Sequence, residues 1–169
     1  MTDKNFNMIP LFGIPLYQTV IEPGVSDEEL NFVKSQEYER FAADNGFGSM
    51  DKFLLDKPEL KNLKQKLLHK CEHYLHEVLD IDESKAKFDI TNSWSVKHIK
   101  GDESGAHTHS GSMFSAVYYL QTEQDSGEIV FHKEKTNYNV LTPTVNVPYK
   151  NKNFNICNSE AFAIPPQNN

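Results

Sequence analysis

The stretch Ser112-Met113-Phe114-Ser115-Ala116-Val117-Tyr118-Tyr119-Leu120 decides how the second half of this chain is read. It is dense in aromatic and apolar side chains and free of Gly and Pro, which is the composition of a strand with at least one covered face. Working outward, residues 87–99, 113–121, 128–132 and 161–164 share that character. Lys100-Gly101-Asp102, Asp125-Ser126-Gly127 and the Thr142-Pro143 and Val147-Pro148 steps separate them as turns.

Upstream the hydrophobic period changes. Ser26-Asp27-Glu28-Glu29 has the form of a capping box, with Ser26 satisfying free amides and Glu29 reaching back, and Leu30 and Val33 supply a buried side. Asp56-Lys57-Pro58-Glu59 opens a second helix, because proline suits the first turn, where no amide donor is needed. Leu60, Leu63, Leu67, Cys71, Tyr74 and Val78 then recur three and four apart, widened by Leu68, Leu75 and Leu79, so the pattern predicts one amphipathic helix ending near Asp80. Residues 8–22 read as one or two short strands and residues 42–57 as a loop. Helices first and strands after define an α+β chain, mostly β: a sandwich or barrel packed by two N-terminal helices, in one domain spanning residues 1–169.

Charge narrows the partners. The 169 residues carry Lys+Arg 17 against Asp+Glu 24, a formal charge of -7, with Arg40 the single arginine. That balance argues against a nucleic-acid groove or an anionic membrane surface. The N-terminus lacks an apolar signal-peptide core, and no apolar run approaches a membrane span. Two cysteines, Cys71 and Cys157, are too few for a disulfide scaffold and point to a reducing, cytoplasmic setting, with Cys71 on the apolar stripe. Phosphate-loop, nucleophile-elbow and Cys-x-x-Cys motifs are absent from the sequence.

Chemistry concentrates in the histidines. His69, His73 and His76 fall opposite the apolar stripe, among Lys66, Lys70, Glu72 and Glu77, and so read as a solvated helix face rather than a metal clip. His107-Thr108-His109 differs. On a strand or at its end, a spacing of two brings both rings to one side, and neutral imidazoles suit divalent iron. Spacing alone also fits a polar strand end. His132 reads as a strand-end surface residue, Trp94 as sheet packing, and Asp102 and Glu103 as solvated turn residues.

The run from Trp94-Ser95-Val96 through Gly101, His107-Thr108-His109-Ser110-Gly111-Ser112 and Ser115-Ala116-Val117-Tyr118-Tyr119-Leu120 to Ser126-Gly127-Glu128-Ile129-Val130-Phe131 resembles a known family. It is similar to the 2-oxoglutarate- and Fe(II)-dependent oxygenases of the prolyl-hydroxylase-like group, in particular a small branch of marine bacteria and their phages. Leu11-Phe12-Gly13-Ile14-Pro15-Leu16-Tyr17 is similar to that branch's N-terminal strand. The resemblance implies a double-stranded β-helix (jelly roll) with Fe(II) held inside, 2-oxoglutarate as cosubstrate, O2 as oxidant and ascorbate as supporting reductant. Such enzymes hydroxylate a protein side chain such as proline, or a small molecule, and release succinate and CO2. Carried over by position, His107 takes the place of the first metal ligand and His109 that of the acidic ligand. Tyr118 and Tyr119 follow on the next strand, where one ring would touch the cosubstrate or both would pack the sheet.

Two departures stand out. His109 occupies a carboxylate's position, which removes one negative charge and leaves open whether His109 ligates or only His107 does. The resemblance also implies a distal histidine and a basic anchor for the far carboxylate of 2-oxoglutarate. After Arg40 the candidates for that anchor are Lys133, Lys135, Lys150 and Lys152, and the chain ends soon after Ala161-Phe162-Ala163-Ile164, where the family continues into its final strands. The expectation is thus an oxygenase fold lacking those strands and impaired by their loss, in host cytoplasm if phage-encoded. The competing reading is a non-catalytic jelly-roll metal-binding or interaction module of viral type; a third is a cupin-like metalloenzyme without 2-oxoglutarate.

Overall fold

The computed structural model describes residues 14–41, 45–132, 159 and 161–167. Helix α1 (Asp27–Lys34) starts with the predicted capping box: the Glu29 amide donates to Ser26 Oγ (3.2 Å) and the Ser26 amide donates to Glu29 Oε2 (2.9 Å). The same carboxylate's Oε1 accepts the Leu63 amide at 2.9 Å, so one buried side chain caps α1 and ties it to the second helix.

That second helix is built in three gauges. Pro58–Leu60 forms a 3-10 turn, α2 runs Lys61–His73, and Tyr74–Val78 continues as a π-helix. The wider turn shifts the phase of every later side chain. Leu75 is therefore buried (3% exposed) while Val78 is turned out (49%), which corrects its place in the apolar stripe. Asp80, at φ 55°, sits in the left-handed region that ends helices, and the Ile81 amide bonds back to Leu75 O (3.0 Å).

Strands β1 (Tyr38–Arg40), β2 (Phe47–Ser49) and β3 (Val96–Lys97) form one antiparallel sheet in that order, and β4 (Ile129–His132) pairs antiparallel with β5 (Ala161–Ile164) in a separate ribbon. The chain is α+β, as expected. Several boundaries need correction. Residues 42–57 contain β2 and a 3-10 turn (Leu54–Asp56), and of 87–99 only Val96–Lys97 is strand. Residues 14–22 carry no strand; 8–13 lie outside the described residues. Nor is 113–121 a strand. A strand exists through its hydrogen-bond ladder, whatever its composition. This segment instead lends Tyr118 and Leu120 to the helical core and leaves Met113 (75%) and Val117 (63%) exposed. Among the described residues the strands do not close into a roll.

The core is Val33, Leu54, Leu60 and Leu63, with Val25, Phe32, Leu55, Leu67, Tyr118 and Leu120 against it. Between β1 and β2, Gly46 has φ +75°, and an added Cβ there would lie 2.2 Å from the His98 ring and 3.0 Å from Lys97 O. Gly46→Ala should therefore cost about 1–3 kcal/mol from backbone strain and overpacking together. Urea denaturation checks this; a loss under about 0.5 kcal/mol would mean the hairpin relaxes freely.

Candidate metal centre

The histidine loop grows from a pinned base. Ser93 donates its amide to Lys52 O (2.8 Å) and accepts the Leu54 amide on its carbonyl (2.9 Å) and the Leu55 amide on Oγ (2.9 Å). Ser95 donates to the buried Ser49 Oγ at 3.0 Å and accepts the Ser49 amide at 2.9 Å. Beyond β3 the chain turns at Ile99–Asp102, where Gly101 takes φ +94° and the Asp102 amide closes onto Ile99 O (3.0 Å). His107 and His109 follow in irregular backbone rather than on a strand.

Their ring centroids lie 5.0 Å apart, edge to face, and both side chains are exposed. His107 Nδ1 is 2.8 Å from Gly105 O. A carbonyl oxygen only accepts, so the neutral ring carries its proton on Nδ1 and keeps its lone pair on Nε2, the tautomer a metal ligand needs. His109 packs against the Trp94 indole, centroids 5.4 Å apart. Two adjacent neutral nitrogen donors fit a ferrous ion as part of its ligand set. Among the described residues, however, no three His, Cys, Asp or Glu side chains are grouped to hold a metal.

The tyrosines part company. Tyr118 packs on the helical core, and its hydroxyl accepts the Val25 amide at 3.1 Å. Tyr119 is half-buried, and burial pushes its hydroxyl above the ordinary tyrosine value, so it stays a proton donor at neutral pH. Tyr118→Phe should cost about 1 kcal/mol in thermal or urea unfolding, the usual worth of one hydrogen bond, and leave metal affinity unchanged. A weakened metal affinity would count against a purely structural Tyr118.

Other expectations sort clearly. His132 is exposed at the end of β4. His69 and His73 are exposed, as a solvated helix face requires, with His73 stacked on Tyr17 (5.7 Å) and the Tyr17 hydroxyl 3.1 Å from its Nδ1; His76 is half-buried and donates from Nδ1 to Ile81 O (2.7 Å). His76 also borders a cavity of about 380 Å³ with Glu72, Glu83, Ala86, Lys87 and Phe88; neither His107 nor His109 lines it. Asp102 is not a solvated turn residue: its side chain is 6% exposed and pairs with Arg40 at 2.9 Å. The Ile99 amide, and then the Arg40 guanidinium, hold its carboxyl below the usual carboxylate range. Cys71 is a half-buried free thiol whose pKa burial pushes up, which disfavours the thiolate. Sequence reasoning missed the Arg40–Asp102 pair, although a lone arginine in an acidic chain was a signal. Lys133, Lys135, Lys150, Lys152 and Cys157 lie outside the described residues.

Residues 92–163, less than half of the chain, match a family model described as "Putative 2OG-Fe(II) oxygenase". The matched segment contains His107, His109, Tyr118 and Tyr119, and it supports oxygenase chemistry dependent on Fe(II) and 2-oxoglutarate. No curated protein and no solved structure matches the chain. No helix among the described residues is long and apolar enough to cross a membrane.

Proposed function

We propose that this chain is an Fe(II)- and 2-oxoglutarate-dependent dioxygenase of the prolyl-hydroxylase-like type, hydroxylating a protein side chain or a small molecule in a reducing, cytoplasmic setting. The observation that carries this reading is the adjacency of the His107 and His109 rings, 5.0 Å apart, inside the segment that matches the oxygenase family. His107 through Nε2, and His109, would hold the iron. Tyr119, the tyrosine not engaged by the helical core, would donate its hydroxyl to a cosubstrate carboxylate. With iron and 2-oxoglutarate bound, the chemistry supplied is C–H hydroxylation by O2, one oxygen atom entering the alcohol and the other the succinate formed as CO2 leaves. The chain's own residues contribute ligand orientation, through the Gly105 carbonyl on His107 and the Trp94 ring on His109. The jelly roll belongs to this proposal through the family likeness alone.

Succinate release from 2-oxoglutarate with Fe(II) and ascorbate tests the reading. Wild type should release succinate slowly, since two imidazoles orient a cosubstrate poorly, and His107→Ala should release none. Equal release by both proteins would overturn it. The exposure of both imidazoles favours a second reading, a metal-binding module without turnover. It predicts His107-dependent metal binding with no succinate.

A further inference from the structure

The histidine loop is held to the rest of the protein by a charged contact that no motif contains. Arg40 ends β1, and its Nη1 lies 2.9 Å from Asp102 Oδ1. The other oxygen, Asp102 Oδ2, accepts the Ile99 amide at 3.0 Å, while the Asp102 amide bonds back to Ile99 O at 3.0 Å. Asp102 thus closes its turn from both directions and fastens it to the sheet at once. The Arg40 guanidinium is itself seated 4.5 Å over the Phe47 ring on β2, so it reaches Asp102 from a backed position. A second tie lies one step along the loop, where His98 Nε2 is 3.1 Å from Ser104 Oγ. Further along the loop, His107 bonds to the Gly105 carbonyl and meets His109 edge to face, and His109 packs on Trp94.

From this we infer that Arg40 and Asp102 are positioning residues for the histidine pair. Their ion pair fixes where the loop leaves the sheet, and so sets His109 against Trp94 with His107 beside it. The inference rests on the iron-binding reading above for its purpose, but the positional claim is testable without metal. A charge pair with one nearly covered partner is geometrically demanding, and a loop freed at its base would have to be re-ordered each time a ligand binds.

Trp94 is the one tryptophan in the chain, so its fluorescence reports on its own surroundings, which include the His109 ring. Asp102→Asn keeps an oxygen for the Ile99 amide and removes only the charge; Arg40→Gln removes the other half of the pair. In metal-free protein each variant should raise acrylamide quenching of Trp94, by roughly twofold if the loop lifts from the indole. Both together should raise it no further, because they break one interaction. Far-UV circular dichroism should stay at the wild-type value, since the helical core is untouched. In Co(II) titrations the same variants should bind about five- to tenfold more weakly, again without additivity. Unchanged quenching in both single variants would overturn the inference, as would strictly additive effects. Wild-type and His107→Ala proteins that bind Co(II) equally would sink the iron reading instead, and the metal-free quenching would still decide the clamp.

Discussion

Replacing His107 with alanine is expected to weaken Co(II) or Fe(II) binding by at least about a hundredfold. Removing a group that merely orients a ligand costs metal affinity about 10- to 100-fold, and removing the ligand itself costs more. His107 is the better defined of the two donors, because the Gly105 carbonyl fixes its tautomer with the lone pair on Nε2. Anaerobic titration followed by Trp94 fluorescence measures this directly, since the indole lies 5.4 Å from the neighbouring His109 ring. His109→Ala decides whether the second imidazole ligates: a comparable loss says that it does, an unchanged affinity that His107 acts without it. His109→Asp should bind more tightly than wild type, because a carboxylate adds the negative charge that an imidazole lacks. An affinity unchanged in His107→Ala would remove the metal centre altogether.

The largest stability effect should come from Glu29→Ala, at about 3 kcal/mol. Glu29 is 5% exposed, and its two oxygens accept the Ser26 and Leu63 amides. Hydrogen bonds to a charged group are worth about 1.5–3 kcal/mol, and a buried amide left without a partner adds its own desolvation cost. The carboxylate also sits in the first turn of α1, where the helix dipole favours negative charge. Glu29→Gln should fall between, because its amide oxygen accepts from one of the two donors and its NH2 group faces the other. Urea denaturation of the three proteins gives the ranking. A Glu29→Ala protein within about 0.5 kcal/mol of wild type would show that water replaces the carboxylate and that the two helices are not joined through it.

These predictions divide by how legible their residues were. Glu29 could be placed from the sequence as a helix cap, since a capping box is a four-residue arrangement that local spacing specifies. Its bond to the Leu63 amide could not, because it joins residues 34 apart through a helix-to-helix approach. The second helix was visible through Leu60, Leu63 and Leu67, but the π turn at Tyr74–Val78 changed which of Leu75 and Val78 is covered. Hydrophobic spacing assumes one period, and a change of helical gauge has no signature in it. The histidine pair was legible as a spacing of two. That it stands in an exposed loop, braced by Trp94 and reached through an Arg40–Asp102 clamp, was not.

What the amino-acid order determined on its own is whatever closes within a few residues: the Ser26–Glu29 cap, the start at Pro58, the glycine turn before Asp102 and the proximity of His107 to His109. The tertiary structure alone decided the rest. Residues 113–121 have the composition of a strand, yet backbone conformation follows hydrogen-bond partners, and the partner that Tyr118 found was the helical core through the Val25 amide. Local sequence sets what a segment can become; the surface that buries it selects which of those states lowers the free energy most.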